Sequence, residues 1–425
     1  MSLGFEQAGF DIVAAVEIDP VHAAVHEFNF PECMTIPISV RDLTGAEIRK
    51  RANLGRRKVD IVFGGAPCQG FSLIGQRALD DPRNSLVKDF ARIVHELRAD
   101  YFVFENVKGL TVGKQKRFLQ EIVEEFEAYG YDVLSPWKVL NAHHYGVPQD
   151  RNRLFLMGCR RGAKLPVYPE PISRPAGGKG IEGIDAGPSC ADALGDLPDA
   201  EKFEELKTTD AVRRCVYGEP SDYAKELRCL TNDAWHYGYP RAWNPDVLTS
   251  SRRTEHTEIS RLRFSETEPG SVEPISRFFN LSGDGVSNTL RAGTDAARGA
   301  FTSPRPIHYQ YPRCVTVREM ARLHGFPDWF RFHGTKWHGA RQIGNSVPPP
   351  LARAVATEVA RAMGYAPERV STVLELGDEK TLQMDLTQAS AYWGVENPIG
   401  RRDKKSGAKK RKQHETEADR LAAIG

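Results

Sequence analysis

Short apolar runs alternate with amphipathic segments between residue 11 and about residue 140, and this pattern constrains the fold more than any other feature. Apolar runs at 11–17, 59–63 and 100–106 predict strands, whereas the segments 20–28, 85–97 and 115–130 have helical periodicity. Strands that alternate with helices are typical of an open, mostly parallel sheet covered by helices on both faces. We therefore predict a doubly wound α/β fold whose ligands bind beyond the carboxyl ends of the strands.

Two helix starts have a T-x-x-E sequence, in which the threonine side chain and the glutamate side chain cap each other's backbone N–H groups. Thr44 and Glu47 form the first such pair, and Thr316 and Glu319 form the second. Helices are therefore predicted to begin directly after Thr44 and Thr316. Further strands are predicted within 131–142 and 153–161.

The composition changes after about residue 160. Residues 161–313 are rich in Pro, Gly, Ser and Arg and have little helical periodicity, which predicts a separate, loop-rich domain. Helical periodicity returns within 314–365. The tail, 366–425, is polar, and its segment 401–413 has eight basic residues and one acidic residue. We predict that this tail is disordered.

The overall composition excludes some classes of protein. With 58 Lys and Arg against 56 Asp and Glu, the net charge is +2, so any surface that binds nucleic acid must be local. No apolar run approaches the roughly 20 residues of a membrane helix, and there is no secretory signal segment. The seven cysteines are scattered without a C-x-x-C pair, which argues against a disulfide scaffold and a zinc site. This cysteine usage predicts a cytoplasmic protein without a bound metal.

Cys68 lies in the segment VDIVFGGAPCQGFS (59–72), on the loop that follows a predicted strand. A single cysteine can be a packed core residue, a metal or redox ligand, or a nucleophile, and the first is the most common. Gly64, Gly65 and Gly70 free the backbone here and Pro67 stiffens it, which a packed thiol does not require. The context therefore favours a reactive thiol.

Glu105 and Asn106 end the next predicted strand, at the same sheet edge as Cys68. A carboxylate raises the pKa of a nearby thiol, so these two groups would make a poor acid–base pair. The arrangement becomes useful if Glu105 protonates or hydrogen-bonds a substrate while the thiolate attacks it. The alternative is that Glu105 and Asn106 belong to an ordinary turn or helix cap.

Gln149, Arg151 and Arg153 alternate in the segment HHYGVPQDRNRLFLMG (143–158). In an extended chain such residues project from one face, and two adjacent guanidinium groups repel each other unless an acceptor lies between them. The pattern is compatible with a site for an acceptor-rich ligand or with a solvated edge strand.

Five segments occur in this order along the chain: APCQGFS, FENV, QDRNR, VREMARLHGFP and GNSVPPP. Together they closely resemble the ordered motif set of DNA (cytosine-5) methyltransferases of the bacterial modification type. The resemblance covers about 1–160 and 313–364, and the region between them resembles the family only in its position and in one short NTL sequence.

This resemblance implies a Rossmann-like class I methyltransferase fold and a chemistry that uses S-adenosylmethionine. Cys68 would attack C6 of a cytosine flipped out of duplex DNA, and the methyl group would pass to C5. Glu105 would hold N3 and the exocyclic amine of the base. Arg153, with Arg151 behind it, would bind the base oxygen and order the site. Residues 161–313 would form the target-recognition domain.

The resemblance also implies a set of binding residues. The cofactor would be bound by Glu17, Ile18, Asp42, Pro67, Leu86, Asn345 and Ser346, and the substrate by Gln69, Ser72, Asn106, Gln149 and Thr289. For Glu17 and Asp42, the alternative is that they are acids at ordinary helix starts. The implied partners are duplex DNA and a restriction endonuclease for the same site, and the implied state is a monomer.

The chain departs from the family pattern at its beginning. The family opens with a strand and a Gly-rich turn, whereas the segment 1–5 resembles the part that follows that turn. We therefore expect a sheet without its first strand. Either the true start lies upstream of Met1, or the chain is a catalytically impaired DNA-binding remnant. Methylation of RNA cytosine by the same chemistry is a third hypothesis.

Overall fold

The computed structural model describes residues 1–66, 85–111, 115–178, 182–213, 215–294 and 303–397. The first part of the chain contains these elements: α1 (Ser2–Gln7), β1 (Ala14–Val16), α2 (Pro20–Asn29), β2 (Met34–Ile36), α3 (Gly45–Arg51), β3 (Ile61–Gly64), α4 (Ser85–Leu97), β4 (Tyr101–Val107), α5 (Gln115–Ala128), β5 (Tyr131–Val133), β6 (Lys138–Asn141) and β7 (Asn152–Arg160). The second part contains α6 (Cys190–Leu194), β8 (Val212–Arg213), α7 (Asp222–Leu227), β9 (Arg241–Ala242), β10 (Val247–Leu248), α8 (Glu258–Glu266), α9 (Val317–Leu323), α10 (Lys336–Asn345), α11 (Pro349–Met363), β11 (Leu374–Glu375) and α12 (Leu386–Trp393). Across these ranges, no helix has both the length and the apolar character needed to cross a membrane.

The central sheet has five strands in the order β3-β4-β7-β5, and β6 also pairs with β7. β3 and β4 are parallel and are connected through α4, whereas β7 runs antiparallel to β4, β5 and β6. The predicted α/β class is therefore confirmed. The direction of β7 could not be predicted, because an apolar run does not show which way a strand points.

β1 and β2 pair in parallel in a sheet of their own. Ala14 and Val16 of β1 nevertheless pack in the same apolar cluster as Val62 of β3, together with Ile93 and Leu97 of α4. The parallel strands thus form two separate pairs, β1 with β2 and β3 with β4, and both pairs pack against α4.

α1 and α11 cover the other face of the sheet. The ring of Phe5 stacks on that of Phe63 in β3, with the centroids 3.9 Å apart. A Cβ atom on Gly4 would lie only 2.5 Å from the side chain of Ala352, so the two helices can approach this closely only because position 4 is glycine. α11 consequently ties the segment after residue 346 to the first part of the chain.

A second core joins the loop-rich region to the segment before α11. It buries side chains from α6, β8, β10, α9 and α10: Leu194, Val212, Leu248, Met320, Leu323 and Ile343. Residues 314–345 therefore pack with the region 161–313. The short elements between residues 190 and 266 agree with the loop-rich composition of this region.

Arg322 of α9 is fully buried in this second core and is held by two aspartates. Its Nε and Nη2 atoms donate to the two oxygens of Asp328 at 2.6 and 2.7 Å, and its Nη1 donates to Asp196 Oδ1 at 3.0 Å. Because Asp196 follows α6 directly, this cluster fixes α9 to α6. The predicted capping box of Thr316 and Glu319 at the start of α9 is confirmed, as is that of Thr44 and Glu47 at α3.

Residues 366–397 form a C-terminal strap, and the prediction that the whole tail is disordered is wrong for them. β11 pairs in parallel with β9, and α12 returns to α2, where the Trp393 indole donates to the Pro20 carbonyl at 3.1 Å. The polar composition hides a few apolar anchors, of which Leu382 is fully buried against Val25 and Phe28 of α2. Residues 398–425, which include the basic segment, lie outside the described residues.

Removal of the C-terminal strap should destabilise the fold. A chain truncated after residue 365 exposes Val25 and Phe28, and loss of the packing around one large buried side chain typically costs about 2–5 kcal/mol. We expect the free energy of unfolding in urea to fall by at least about 3 kcal/mol. A chain that ends at Asn397 is the control and should match the full chain. Equal stability of the two truncated chains would contradict this prediction.

Candidate active site

The site is centred on an ion pair between Glu105 of β4 and Arg153 of β7. These strands are antiparallel neighbours in the sheet, and the Arg153 Nε atom lies 2.8 Å from Glu105 Oε1. Each side chain keeps 13% of its surface exposed, so the pair lies at the edge of the interior. Arg153 also donates to the Asn152 carbonyl at 2.8 Å, which limits the rotation of its guanidinium group.

Burial shifts both members of this pair towards their neutral forms. The pKa of Glu105 is raised because burial disfavours the charged carboxylate more than Arg153 and Arg151 favour it. The pKa of Arg153 is lowered, again mainly by burial and against the attraction of Glu105. A carboxyl group with a raised pKa can hold a proton closer to neutral pH and deliver it to a base nitrogen.

Gly65 and Asn106 connect this pair to the loop that carries Cys68. A Cβ atom on Gly65 would lie 2.5 Å from Glu105 Oε2, so the glycine lets the loop backbone pass directly beside the carboxyl group. The Asn106 amide donates to the Ala66 carbonyl at 2.8 Å and its oxygen accepts the Val107 N–H. The side chain of Asn106 therefore fixes the start of the loop.

Arg151 is fully buried and bonds to backbone carbonyls. Its guanidinium group donates to the carbonyls of Leu290, Gly344 and Ser346 at 2.9, 2.7 and 2.7 Å. Burial and, to a smaller extent, the nearby Arg153 lower its pKa to about 9, against the attraction of Glu105. Arg151 thus joins two distant segments, around Leu290 and at 344–346, to its own segment behind Arg153.

The segment 287–290 runs beside the segment 148–151. The Asp150 N–H donates to the Ser287 carbonyl at 2.8 Å, and the Thr289 hydroxyl donates to the Asp150 carbonyl at 2.6 Å. The short NTL sequence therefore lies against QDRNR. Thr289 is partly exposed and lies against the segment that leads into β7, the strand of Arg153. Gln149 is fully buried.

Glu17 and Ile18 lie where β1 leads into α2. Glu17 Oε1 accepts the Asp19 N–H at 3.0 Å, and Asp19 in turn caps α2 by accepting the N–H groups of Val21 and His22. Burial raises the pKa of Glu17. The side chain of Ile18 is 54% exposed, which leaves an apolar surface beside a carboxyl group.

The other predicted cofactor residues lie at the ends of three helices. Asp42 is exposed and ends a single 3-10 turn before α3, and Leu86 is partly buried in the first turn of α4. Asn345 is the exposed last residue of α10, and the Ser346 hydroxyl that follows donates to the Ile343 carbonyl at 2.8 Å. Pro67, Cys68, Gln69 and Ser72 lie outside the described residues.

A surface cavity of about 630 Å³ lies elsewhere, lined by residues that include Thr44, His95, Tyr129 and Arg160. It shares no residue with the predicted site.

His324 is the residue of this site that the sequence analysis missed. It follows α9 directly, is fully buried, and lies 2.9 Å from the Gln149 amide nitrogen and 3.0 Å from the Ser346 hydroxyl. The segment RLHGFP indicates mainly the end of a helix, so it did not single out His324 as a functional residue. The structure therefore connects Gln149, predicted to bind substrate, with Ser346, predicted to bind cofactor.

Comparisons with known proteins identify the family of this chain. Residues 1–361 match the family model of the C-5 cytosine-specific DNA methylases. The chain is 57% identical over 399 residues to the Type II methyltransferase M.XorII of Xanthomonas oryzae pv. oryzae, covering 94% of this chain and 91% of that protein. It is 33% identical over 363 residues to the Type II methyltransferase M1.HphI of Haemophilus parahaemolyticus, covering 84% and 83%.

A comparison with solved structures also finds a DNA methyltransferase. A crystal structure of a prophage-encoded E. coli protein, described as a DNA modification methyltransferase, matches with a TM-score of 0.68 and 31% identity, covering 85% of this chain and 96% of that one. The resemblance found in the motifs thus extends over most of the chain. The protein belongs to the C-5 cytosine-specific DNA methylase family and is a DNA (cytosine-5-)-methyltransferase.

Proposed function

We propose that this chain methylates C5 of a cytosine flipped out of duplex DNA, through a covalent bond between Cys68 and C6 of the base. The observation that carries the proposal is the Glu105–Arg153 pair beside Gly65, directly before the loop with Cys68. A carboxyl group and a guanidinium group side by side match the N3, amine and carbonyl edge of cytosine.

Covalent addition divides a difficult reaction into easier steps, because a pyrimidine carbon is a poor nucleophile. The Cys68 thiolate adds to C6 while the Glu105 carboxyl group donates a proton to N3, so that C5 becomes an enamine carbon. Arg153 binds the base oxygen and keeps Glu105 in place. After C5 has taken up the methyl group, a base removes the C5 proton, the bond to Cys68 breaks, and the proton on N3 returns to Glu105.

S-adenosylmethionine supplies the electrophilic methyl group when it is bound, as in the rest of the family. The chain offers suitable residues for its nucleoside part. The exposed Ile18 side chain can pack against an adenine ring, and the Glu17 carboxylate can accept hydrogen bonds from ribose hydroxyls. Asp42, Pro67, Leu86 and Asn345 are proposed to complete this site.

Duplex DNA would be bound between the catalytic residues and the region 161–313. Flipping costs a few kcal/mol of stacking and pairing, which contacts in the pocket offset. Thr289 would lie next to the flipped base, together with Gln69 and Ser72, whereas Asn106 and Gln149 would act by holding the surrounding segments. We propose that the enzyme acts as a monomer and protects sites that a cognate restriction endonuclease cleaves, as the Type II names of its relatives suggest.

A trapping experiment tests the proposal. Duplex DNA in which 5-fluorocytosine replaces every cytosine contains the target in any recognition sequence, and fluorine at C5 prevents the final elimination. With S-adenosylmethionine present, the wild-type chain should form an adduct that survives denaturing electrophoresis. Cys68→Ser should form none while it still binds the same DNA, and Cys159→Ser, which changes a buried thiol of β7, is the matched control that should still form it.

Two outcomes would count against the proposal. A wild-type chain that binds DNA without forming an adduct would support the impaired remnant instead. Methylation by Cys68→Ser would show that another group is the nucleophile. The same assay with single-stranded RNA distinguishes the RNA hypothesis.

A further inference from the structure

His324 bridges two sides of the site through both ring nitrogens. Its Nδ1 atom lies 2.9 Å from Gln149 Nε2, and its Nε2 atom lies 3.0 Å from the Ser346 hydroxyl and 3.3 Å from the Ser346 carbonyl. Gln149 directly precedes the Asp150–Arg153 segment that reaches the base site. Ser346 belongs to the GNSV segment on the cofactor side.

The neighbours of His324 determine which way each hydrogen bond points. Gln149 Oε1 accepts the Leu290 N–H at 3.2 Å, so its Nε2 group faces the imidazole and donates to Nδ1. The Ser346 hydroxyl donates to the Ile343 carbonyl at 2.8 Å, so it accepts from His324 Nε2–H. The imidazole is therefore neutral and carries its proton on Nε2.

Burial keeps His324 neutral, and nearby charges add to its effect. Burial and then the guanidinium groups of Arg151 and Arg153 hold the pKa of His324 well below the usual value. Glu105 is the acidic group of this site and is paired with Arg153. A proton on Nδ1 would also face the Gln149 amide donor, so protonation would break the chain of bonds.

We propose that His324 is a positioning residue that couples the cofactor side of the site, through Ser346, to the base side, through Gln149 and the adjoining Arg151. This inference rests on the proposed function of those residues. Hydrogen bonds carry the coupling. Arg151 donates to the carbonyls of Leu290 and Ser346. His324 contacts the Ser346 hydroxyl and the Gln149 amide, whose oxygen accepts the Leu290 N–H. The two residues together close a ring of hydrogen bonds behind the pair of Glu105 and Arg153.

Two substitutions of His324 each remove the hydrogen bond of one ring nitrogen and keep that of the other. His324→Asn places its amide oxygen close to the position of Nδ1, so it can still accept from Gln149 but does not reach Ser346. His324→Gln places its amide nitrogen close to the position of Nε2, so it can still donate to Ser346 but loses Gln149. His308→Asn is the matched control, because His308 is an equally buried imidazole that accepts the Gln310 N–H at 3.0 Å outside the site.

We expect the two variants to separate two measurements. His324→Asn should weaken binding of S-adenosylmethionine, measured as Kd by calorimetry, by about five- to tenfold and leave kcat within about twofold, because one hydrogen bond is lost on the cofactor side. His324→Gln should lower kcat by about five- to tenfold and leave that Kd within about twofold. His308→Asn should lower the thermal midpoint without changing the Kd.

The outcomes distinguish this inference from the proposed function. If the wild-type chain transfers no methyl group to DNA, the proposed function fails and the basis of the inference fails with it. If the wild type is active but both variants change Kd and kcat together with the thermal midpoint, His324 has only a structural role. If neither variant changes either quantity by more than about twofold, the coupling is also refuted.

Discussion

Glu105→Gln is expected to lower kcat by about two to four orders of magnitude, the usual contribution of a general acid or base. Glutamine keeps the size of the side chain and can still accept a hydrogen bond from Arg153, but it has no proton to give to N3 of the base. The Cys68 adduct would then form only slowly. The measurement is single-turnover methyl transfer at saturating DNA and S-adenosylmethionine.

The pH dependence gives an independent test of the same role. Glu105 acts as an acid, so the active form is protonated, and burial raises its pKa above the usual value. The wild-type rate should fall as the pH rises through that pKa, and this limb should be absent in Glu105→Gln. Glu47→Gln, at the exposed capping box of α3, is the control and should leave kcat unchanged. A rate for Glu105→Gln within about threefold of the wild type would contradict the assignment.

Arg322→Met should produce the largest loss of stability, about 3–5 kcal/mol in the free energy of unfolding. Methionine fills much of the same volume, but it leaves the carboxylates of Asp196 and Asp328 buried beside one another without the guanidinium group. Asp196 keeps a contact to Arg228 at 3.3 Å, and Asp328 keeps one to Arg318 at 3.7 Å, which is insufficient to replace three short bonds.

Arg369→Met is the matched control, since Arg369 and its partner Asp233 are both mostly exposed and such pairs contribute less than about 1 kcal/mol. Urea unfolding of the two variants gives the comparison. The second core joins α6 to α9, so Arg322→Met should also affect DNA binding. We expect weaker binding only at urea concentrations close to the unfolding midpoint of the variant. Equal stability of the two variants would show that the buried cluster contributes little net energy.

The local signals in this sequence predicted the first half of the fold well. The helix at 85–97 matches α4 at both ends, and both T-x-x-E sequences form capping boxes, because the signals of such elements lie within a few residues. The C-terminal strap was missed because its anchors, Leu376, Leu382 and Trp393, are separated by polar residues and have no period of their own.

The site was predicted in part, for a similar reason. The resemblance implied that Glu105 and Arg153 contact the same base, and in the structure their side chains form an ion pair. The alternation at 149, 151 and 153 could not show that Gln149 and Arg151 are fully buried, because their partners come from distant segments. His324 was not predicted as a site residue because its partners, Gln149 and Ser346, lie 175 and 22 residues away along the chain. The placement of Cys68 itself stays a prediction.

The C-terminal strap also has a consequence for the moment at which a newly made molecule becomes complete. Trp393 bonds to a carbonyl 373 residues earlier in the chain, and Leu382 is needed to cover the apolar face of α2. At a synthesis rate of about 5–20 residues per second, the ribosome takes roughly 20–75 seconds to travel from one partner to the other. During that time the apolar face of α2 stays exposed, so a newly made molecule should become fully stable only after its C-terminal strap has been synthesised.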